Sequence, residues 1–152
     1  MMRQALWVLG VGVLPAILAG CSRETVKLPD TVPYSGKVTL DGKPLSGAAI
    51  QFTPGRESKD GYSATGITNA EGKYELNTVI GKHIKPGVTP GSYRVTVSLL
   101  ASADGKPFDP KATAIPHMKQ TLKAEYSDLA ATRLVAKVGD KGATQDFDLK
   151  SK

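Results

Sequence analysis

Few residues in this chain of 152 are placed to do chemistry. The single cysteine, Cys21, stands just past an uncharged apolar run. A disulfide within the chain is therefore impossible, and the thiol is left to catalysis, to pairing with another molecule, or to alkylation. The two histidines lie in separate stretches. His83 is followed by Ile84-Lys85-Pro86 and His117 by Met118-Lys119-Gln120, so neither opens an H-x-x-E ligand pair and no third metal ligand clusters with them. Ser35, Ser46 and Ser63 lack a G-x-S-x-G setting, and a serine nucleophile needs an oriented base. Asp146 and Asp148 flank Phe147; with that ring turned inward, strand alternation points both carboxylates to solvent. These residues predict no catalytic group, no metal site and no cofactor, and leave Cys21 as the side chain whose position specifies a reaction.

The approach to Cys21 reads as an export signal. The amino terminus and Arg3 are basic, Ala5 to Leu18 is apolar and uncharged, and small residues close the segment. At about 1.5 Å per residue the apolar run falls short of a hydrocarbon core of roughly 30 Å, and Gly10, Gly12 and Pro15 weaken it further as a permanent helix. Leu18-Ala19-Gly20-Cys21 resembles the lipobox of bacterial lipoproteins. That resemblance implies a signal peptide over residues 1–20, cleavage between Gly20 and Cys21, and a diacylglyceryl thioether, with palmitate-type chains, on Cys21. Two acyl chains at about 0.8 kcal/mol per buried methylene anchor stably where one is marginal. The expected partner is thus a membrane, and the expected location the cell envelope, at the outer membrane or the periplasmic face of the inner membrane. Ser22, in place of an aspartate retention signal, is compatible with the outer membrane.

Residues 21–33 are polar, carry Pro29 and Pro33, show no periodicity and read as a tether. Residues 34–150 fit one domain. The chain's formal charge of +6 comes from scattered lysines, the pattern of solvated faces and guarded sheet edges. With export and no basic-aromatic interleaving, nucleic acid is excluded as a partner. Period-two alternation marks about seven short strands: around Val38 and Leu40, Ala48 to Thr53, Tyr62 to Thr68, around Tyr74 and Leu76, Tyr93 to Leu99, Leu134 to Val138, and Gln145 to Leu149. Asp41-Gly42 and Asn69-Ala70-Glu71-Gly72 supply turns. No stretch sustains helical spacing, although Met118 to Ala131 has room for a helical turn or short strand.

The runs SGKVTLDGKPLSGAAIQFTP, ATGITNAEGKYEL and PGSYRVTVS resemble the carboxypeptidase regulatory-like domains. With the lipobox and the ending EYSDLAATRLVAKVGDKGATQDFDL, the chain looks like the small envelope lipoproteins of planctomycete-type bacteria. The resemblance spans Tyr34 to Leu149. It implies an all-β fold, a seven-stranded antiparallel transthyretin-like (prealbumin-like) β-sandwich, and implies no peptidase activity. The chain departs from enzymes of similar fold. It lacks the C-terminal Tyr-Arg-Gly-Ser of hydroxyisourate hydrolases and the closely spaced histidines of intradiol dioxygenases. Lys37, Glu75 and Asp146 or Asp148 stand in the order of the isopeptide-forming modules of Gram-positive surface proteins. Parity turns them all away from a core of Val38, Leu40, Leu76, Phe147 and Leu149.

The expectation is a membrane-anchored envelope lipoprotein whose domain binds or scaffolds without catalysis, its partner an envelope protein or polysaccharide. A carbohydrate-binding module is the alternative, with Tyr62 and Phe108 as possible platforms, and an enzyme comes third. The binding surfaces expected on a sandwich are its loops, here Ile80 to Thr89 and Ala101 to Gln120. Metabolic labelling with a fatty-acid probe is expected to mark the wild type and to be lost in Cys21→Ser; label retained by the serine variant would exclude a thioether-linked lipid.

Overall fold

The computed structural model describes residues 28–56, 58, 61–102 and 118–152. Cys21, Gly20, Phe108 and His117 lie outside them. In chain order the elements are β1 (Tyr34–Leu40), β2 (Lys43–Pro44), β3 (Ala49–Pro54), β4 (Ala64–Ile67), β5 (Lys73–Glu75), β6 (Asn77–Ile80), β7 (His83–Pro86), β8 (Gly91–Ser98), β9 (Leu100–Ser102), β10 (Met118–Gln120), α1 (Ala124–Ser127), β11 (Val135–Val138), β12 (Ala143–Thr144) and β13 (Phe147–Leu149). The seven alternating runs became β1, β3, β4, β5, β8, β11 and β13. The other six strands have two to four residues each.

One sheet is antiparallel throughout, in the order β11-β8-β3-β4-β6-β7. A second is built around β1: β5 and β2 pair antiparallel on one side, while β12 and β13 pair parallel on the other; β9 and β10 form a separate two-stranded sheet. The expected all-antiparallel arrangement is corrected here. The last strands reach β1 by crossing from β11 in the opposite sheet, so no hairpin dictates their direction.

The alternation that defines the strands also builds the core. Val38, Ile50, Phe52, Tyr74, Leu76, Tyr93, Val95, Val97, Phe147 and Leu149 are all buried. Phe52 joins the layers: its ring centroid lies 5.2 Å from Tyr34 and 6.4 Å from Phe147, both edge-on, and 5.7 Å from Tyr93 in its own sheet. Burying each such side chain contributes about 1.5–3 kcal/mol. Asp41 (φ 51°) and Gly42 (φ 80°) make the tight β1–β2 turn. The Asn69 carboxamide oxygen accepts from the Glu71 and Lys73 amides to close the second turn.

Two local features position the surface considered below. Residues 73–80 serve both sheets, as β5 pairs with β1 and β6 with β4, and the switch falls at Leu76. The β12–β13 segment keeps one register along β1 but its ladder is interrupted at Gln145 and Asp146. There the Gln145 amide donates to Ser35 O at 3.0 Å. Its carbonyl accepts from Tyr74 Oη (2.8 Å), its Oε1 accepts from Tyr34 Oη (2.7 Å), and its Nε2 donates to Val135 O (3.0 Å) in the other sheet.

The Gln145 carbonyl passes directly over Gly36, where a Cβ would land on the oxygen. Gly36→Ala is expected to destabilise by at least the roughly 1–3 kcal/mol typical of overpacking. Gly139→Ala, with open space around the site and no positive φ, is expected to be neutral. Denaturant melts of the two variants check this, and equal midpoints would contradict it.

Candidate functional site

The clearest concavity is an open groove of about 960 Å³, within the span of about 300–1,000 Å³ usual for ligand sites. It lies where the chain leaves the six-stranded sheet for the β1 sheet. One wall is the outer face of β4, β6 and β7, with Ile67 (71 % exposed), Val79 (40 %) and Ile84 (70 %). Val79 and Ile84 are directly opposed in the ladder. The outer surface of the β1 sheet also lines the groove, with Ser35, Lys37, Lys73, Glu75, Thr144 and Asp146. Tyr74, 2 % exposed, lines the groove between them and carries the bond to Gln145.

Backbone register orders the charged wall. Lys37 stands opposite Lys73, and Ser35 opposite Glu75. The hydrogen bonds Val38 N to Gly72 O and Leu76 N to Tyr34 O bracket these two pairs, which makes them the non-hydrogen-bonded kind, with side chains closest together. On the other side of β1, Asp146 turns one carboxylate oxygen back to accept from the Lys37 amide at 2.8 Å. Among the described residues no ion pair joins Lys37 or Lys73 to Glu75 or Asp146; the salt bridge recorded there is Lys123–Glu125, elsewhere on the surface.

A second hollow of about 600 Å³ continues from the groove past Ser35, Glu75, Asn77 and Thr144 to Thr31, Pro33 and Lys141. The described end of the segment read as a tether is docked beside it. Val32 and Val88 exchange two backbone bonds of 2.8 and 2.9 Å, Thr31 Oγ1 donates to Pro86 O, and Lys85 Nζ donates to Pro29 O at 2.6 Å.

The residues singled out from sequence fall into three groups. Lys37, Glu75 and Asp146 do meet, along the groove wall and facing solvent as parity requires, while Asp148 accepts from Thr39 Oγ1 on the adjoining stretch. His83 is half-buried on edge strand β7, and no trio of His, Cys, Asp and Glu able to hold a metal converges among the described residues. Tyr62 is 37 % exposed and is not among the groove's lining residues. The expected loop at Ile80 to Thr89 is instead the β6–β7 hairpin followed by the buried stretch Gly87 to Thr89. Lysines and a proline on an edge strand disguised it. Of Ala101 to Gln120, the described ends pair as β9 and β10. Ile67, Val79 and Ile84 were not singled out. Their signal is an aliphatic residue at an outward position of a strand, where a polar one belongs.

No protein-family model and no curated protein matches the chain. Among solved structures it is similar to a DUF3823 family protein from Parabacteroides merdae ATCC 43184 (15 % identity over 80 % of this chain and 46 % of that one, TM-score 0.35). It is similar also to a 9R-lipoxygenase from Cyanothece PCC8801 (14 %, 79 % and 16 %, TM-score 0.34). A third likeness is to chlorocatechol 1,2-dioxygenase from Pseudomonas putida (17 %, 79 % and 60 %, TM-score 0.33). The chain spans less than two thirds of each of these proteins, and likenesses this distant carry no argument about its chemistry.

Burial raises the phenol pKa of Tyr34, Tyr74 and Tyr93 above the ordinary 10.0, because a phenolate at these positions would lose its hydration. A folded-state pKa above the unfolded one contributes stability that is complete below about pH 10 and is lost as pH rises towards the folded values. Unfolding midpoints are therefore expected to hold up to about pH 10 and to fall above it, with tyrosinate absorbance from these rings appearing together with unfolding. Tyrosinate appearing in full while the fold persists would contradict this.

Proposed function

We propose that this protein is a lipid-anchored envelope protein whose β domain binds a partner in the groove beside its N-terminal segment, without catalysing a reaction. On this reading the domain is of the transthyretin-like, carboxypeptidase regulatory-like type, tethered through Cys21. The observation that carries the binding assignment is the exposure of Ile67, Val79 and Ile84 on one concave face. Val79 and Ile84 at paired strand positions, with Ile67 further along β4 in the same groove, are aliphatic side chains left in water and rimmed by polar groups, which marks an interaction surface rather than random surface composition. What supports a binding rather than a catalytic role is the makeup of the rest of the lining. Its ionic groups are two lysines and two carboxylates, with no histidine, and its hydroxyls come from Ser35, Thr65, Thr144 and Tyr74, the last donating to the Gln145 carbonyl.

The aliphatic lining favours a protein or peptide partner over the carbohydrate reading, which needs flat exposed rings for stacking; the groove's one aromatic, Tyr74, is buried. A photo-crosslinking amino acid at position 84 is expected to yield a discrete adduct in envelope preparations, and the same residue at the distant exposed Val135 to yield none. Indistinguishable adduct patterns at the two positions would remove the groove as the binding face.

A further inference from the structure

The charged wall names the chemistry of the ligand, provided that the groove is the binding face. Two lysines directly opposed at a non-hydrogen-bonded position of an antiparallel pair repel each other and cost stability. Neither is paired with Glu75 or Asp146. An exposed sheet face has many polar residues to choose from, and a threonine at either position would relieve the repulsion. Such a pair is complementary to one anionic group lying between the two ammonium ions.

The neighbours restrict that anion. Asp146 lies beside Lys37 in the gap between β12 and β13, and Glu75 follows Lys73 on the same strand face. These carboxylates repel a second negative charge, so a polyanion or phosphate-rich surface is disfavoured and a single carboxylate is favoured. Their own oxygens accept from donors such as amide N–H groups or an ammonium. In the same groove, Ile67, Val79 and Ile84 offer aliphatic contacts. A carboxylate, N–H donors and aliphatic side chains within one narrow ligand describe a peptide.

We propose that the groove binds an extended peptide segment, its carboxylate held between Lys37 and Lys73 and its aliphatic side chains laid on Ile67, Val79 and Ile84. The test uses the full-length protein in detergent micelles with methyl-labelled isoleucine and valine. It is titrated with the peptide Ac-Lys-Ala-Val-Ile-Ala as the free acid and as the C-terminal amide. The free acid is expected to shift the Ile67, Val79 and Ile84 methyls, and the amide to bind at least about tenfold more weakly.

In Lys37→Gln/Lys73→Gln the preference for the acid is expected to vanish while the thermal midpoint rises, because the repulsion is gone. A merely structural role for the lysines does not move affinity and stability in opposite directions. The proposal is overturned if acid and amide bind alike, if the double variant binds the acid as well as the wild type does, or if the groove methyls do not shift. It is equally overturned if they respond to an uncharged glucose tetrasaccharide and not to the peptide, or shift with protein concentration alone, which would make the occupant a sugar or a second copy. Crosslinking at position 84 with failure of the peptide would remove this ligand class and leave the groove as the binding face; failure of both removes the groove as well.

Discussion

The approach of the Gln145 backbone to Gly36 is the constraint on which the rest of the fold depends. A strand returning from the opposite sheet has to dock parallel to β1, and it does so in one register along its whole length. At the middle of that register the carbonyl of Gln145 occupies the space a side chain would take on β1, so the ladder there cannot be regular. The four groups of Gln145 find partners in Ser35, Tyr74, Tyr34 and Val135, and two of these bonds use hydroxyls of buried tyrosines whose donors would otherwise lack a partner. The interruption is thus satisfied by hydrogen bonds on every side and ties the two sheets at a point where neither ladder could.

The surface chemistry follows from the same interruption. With the backbone of the returning strand displaced, the Lys37 amide takes the Asp146 carboxylate as its acceptor. That bond commits one oxygen of Asp146 to the backbone of β1. On the far side of β1, the turn closed by Asn69 fixes where β5 begins and so sets Lys73 against Lys37. The groove wall is therefore a consequence of how the core is closed, and its like-charge pair is a local conflict that a purely structural optimum would have removed.

Much of the fold was legible in the sequence, because burial acts on every second residue of a strand and a run of six or eight displays it. Ile50 and Phe52, or Tyr93, Val95 and Val97, declare their facing without help from the rest of the chain. The turns were legible for a similar reason, since Asp41-Gly42 needs a conformation few other pairs adopt. The Gln145 tie was not, since its side chain is polar and its partners lie 10 to 111 residues away. The groove was missed for a different reason. Val79 and Ile84 sit in short strands interrupted by Gly81, Lys82, Lys85 and Pro86, where aliphatic residues facing water look the same in sequence as aliphatic residues facing a core.

That the groove is open rather than enclosed is understandable, on the proposed reading, from where it is held. The segment Pro29 to Pro33 is fastened beside it by backbone bonds at Val32 and by Thr31 and Lys85. An extended chain covers at most about 3.3–3.6 Å per residue, so under the proposed anchoring Cys21 and Pro29 are separated by no more than about 30 Å. If the protein is anchored as proposed, a groove confined to that layer would meet envelope ligands at a high effective concentration, and association would give up less translational freedom than it does in solution. On that reading, a carboxylate between two lysines and a few aliphatic contacts have less lost freedom to offset. A deep, enclosed cavity would add affinity that the geometry does not require, and it would demand a break in the close-packed core that Phe52 and its neighbouring rings fill.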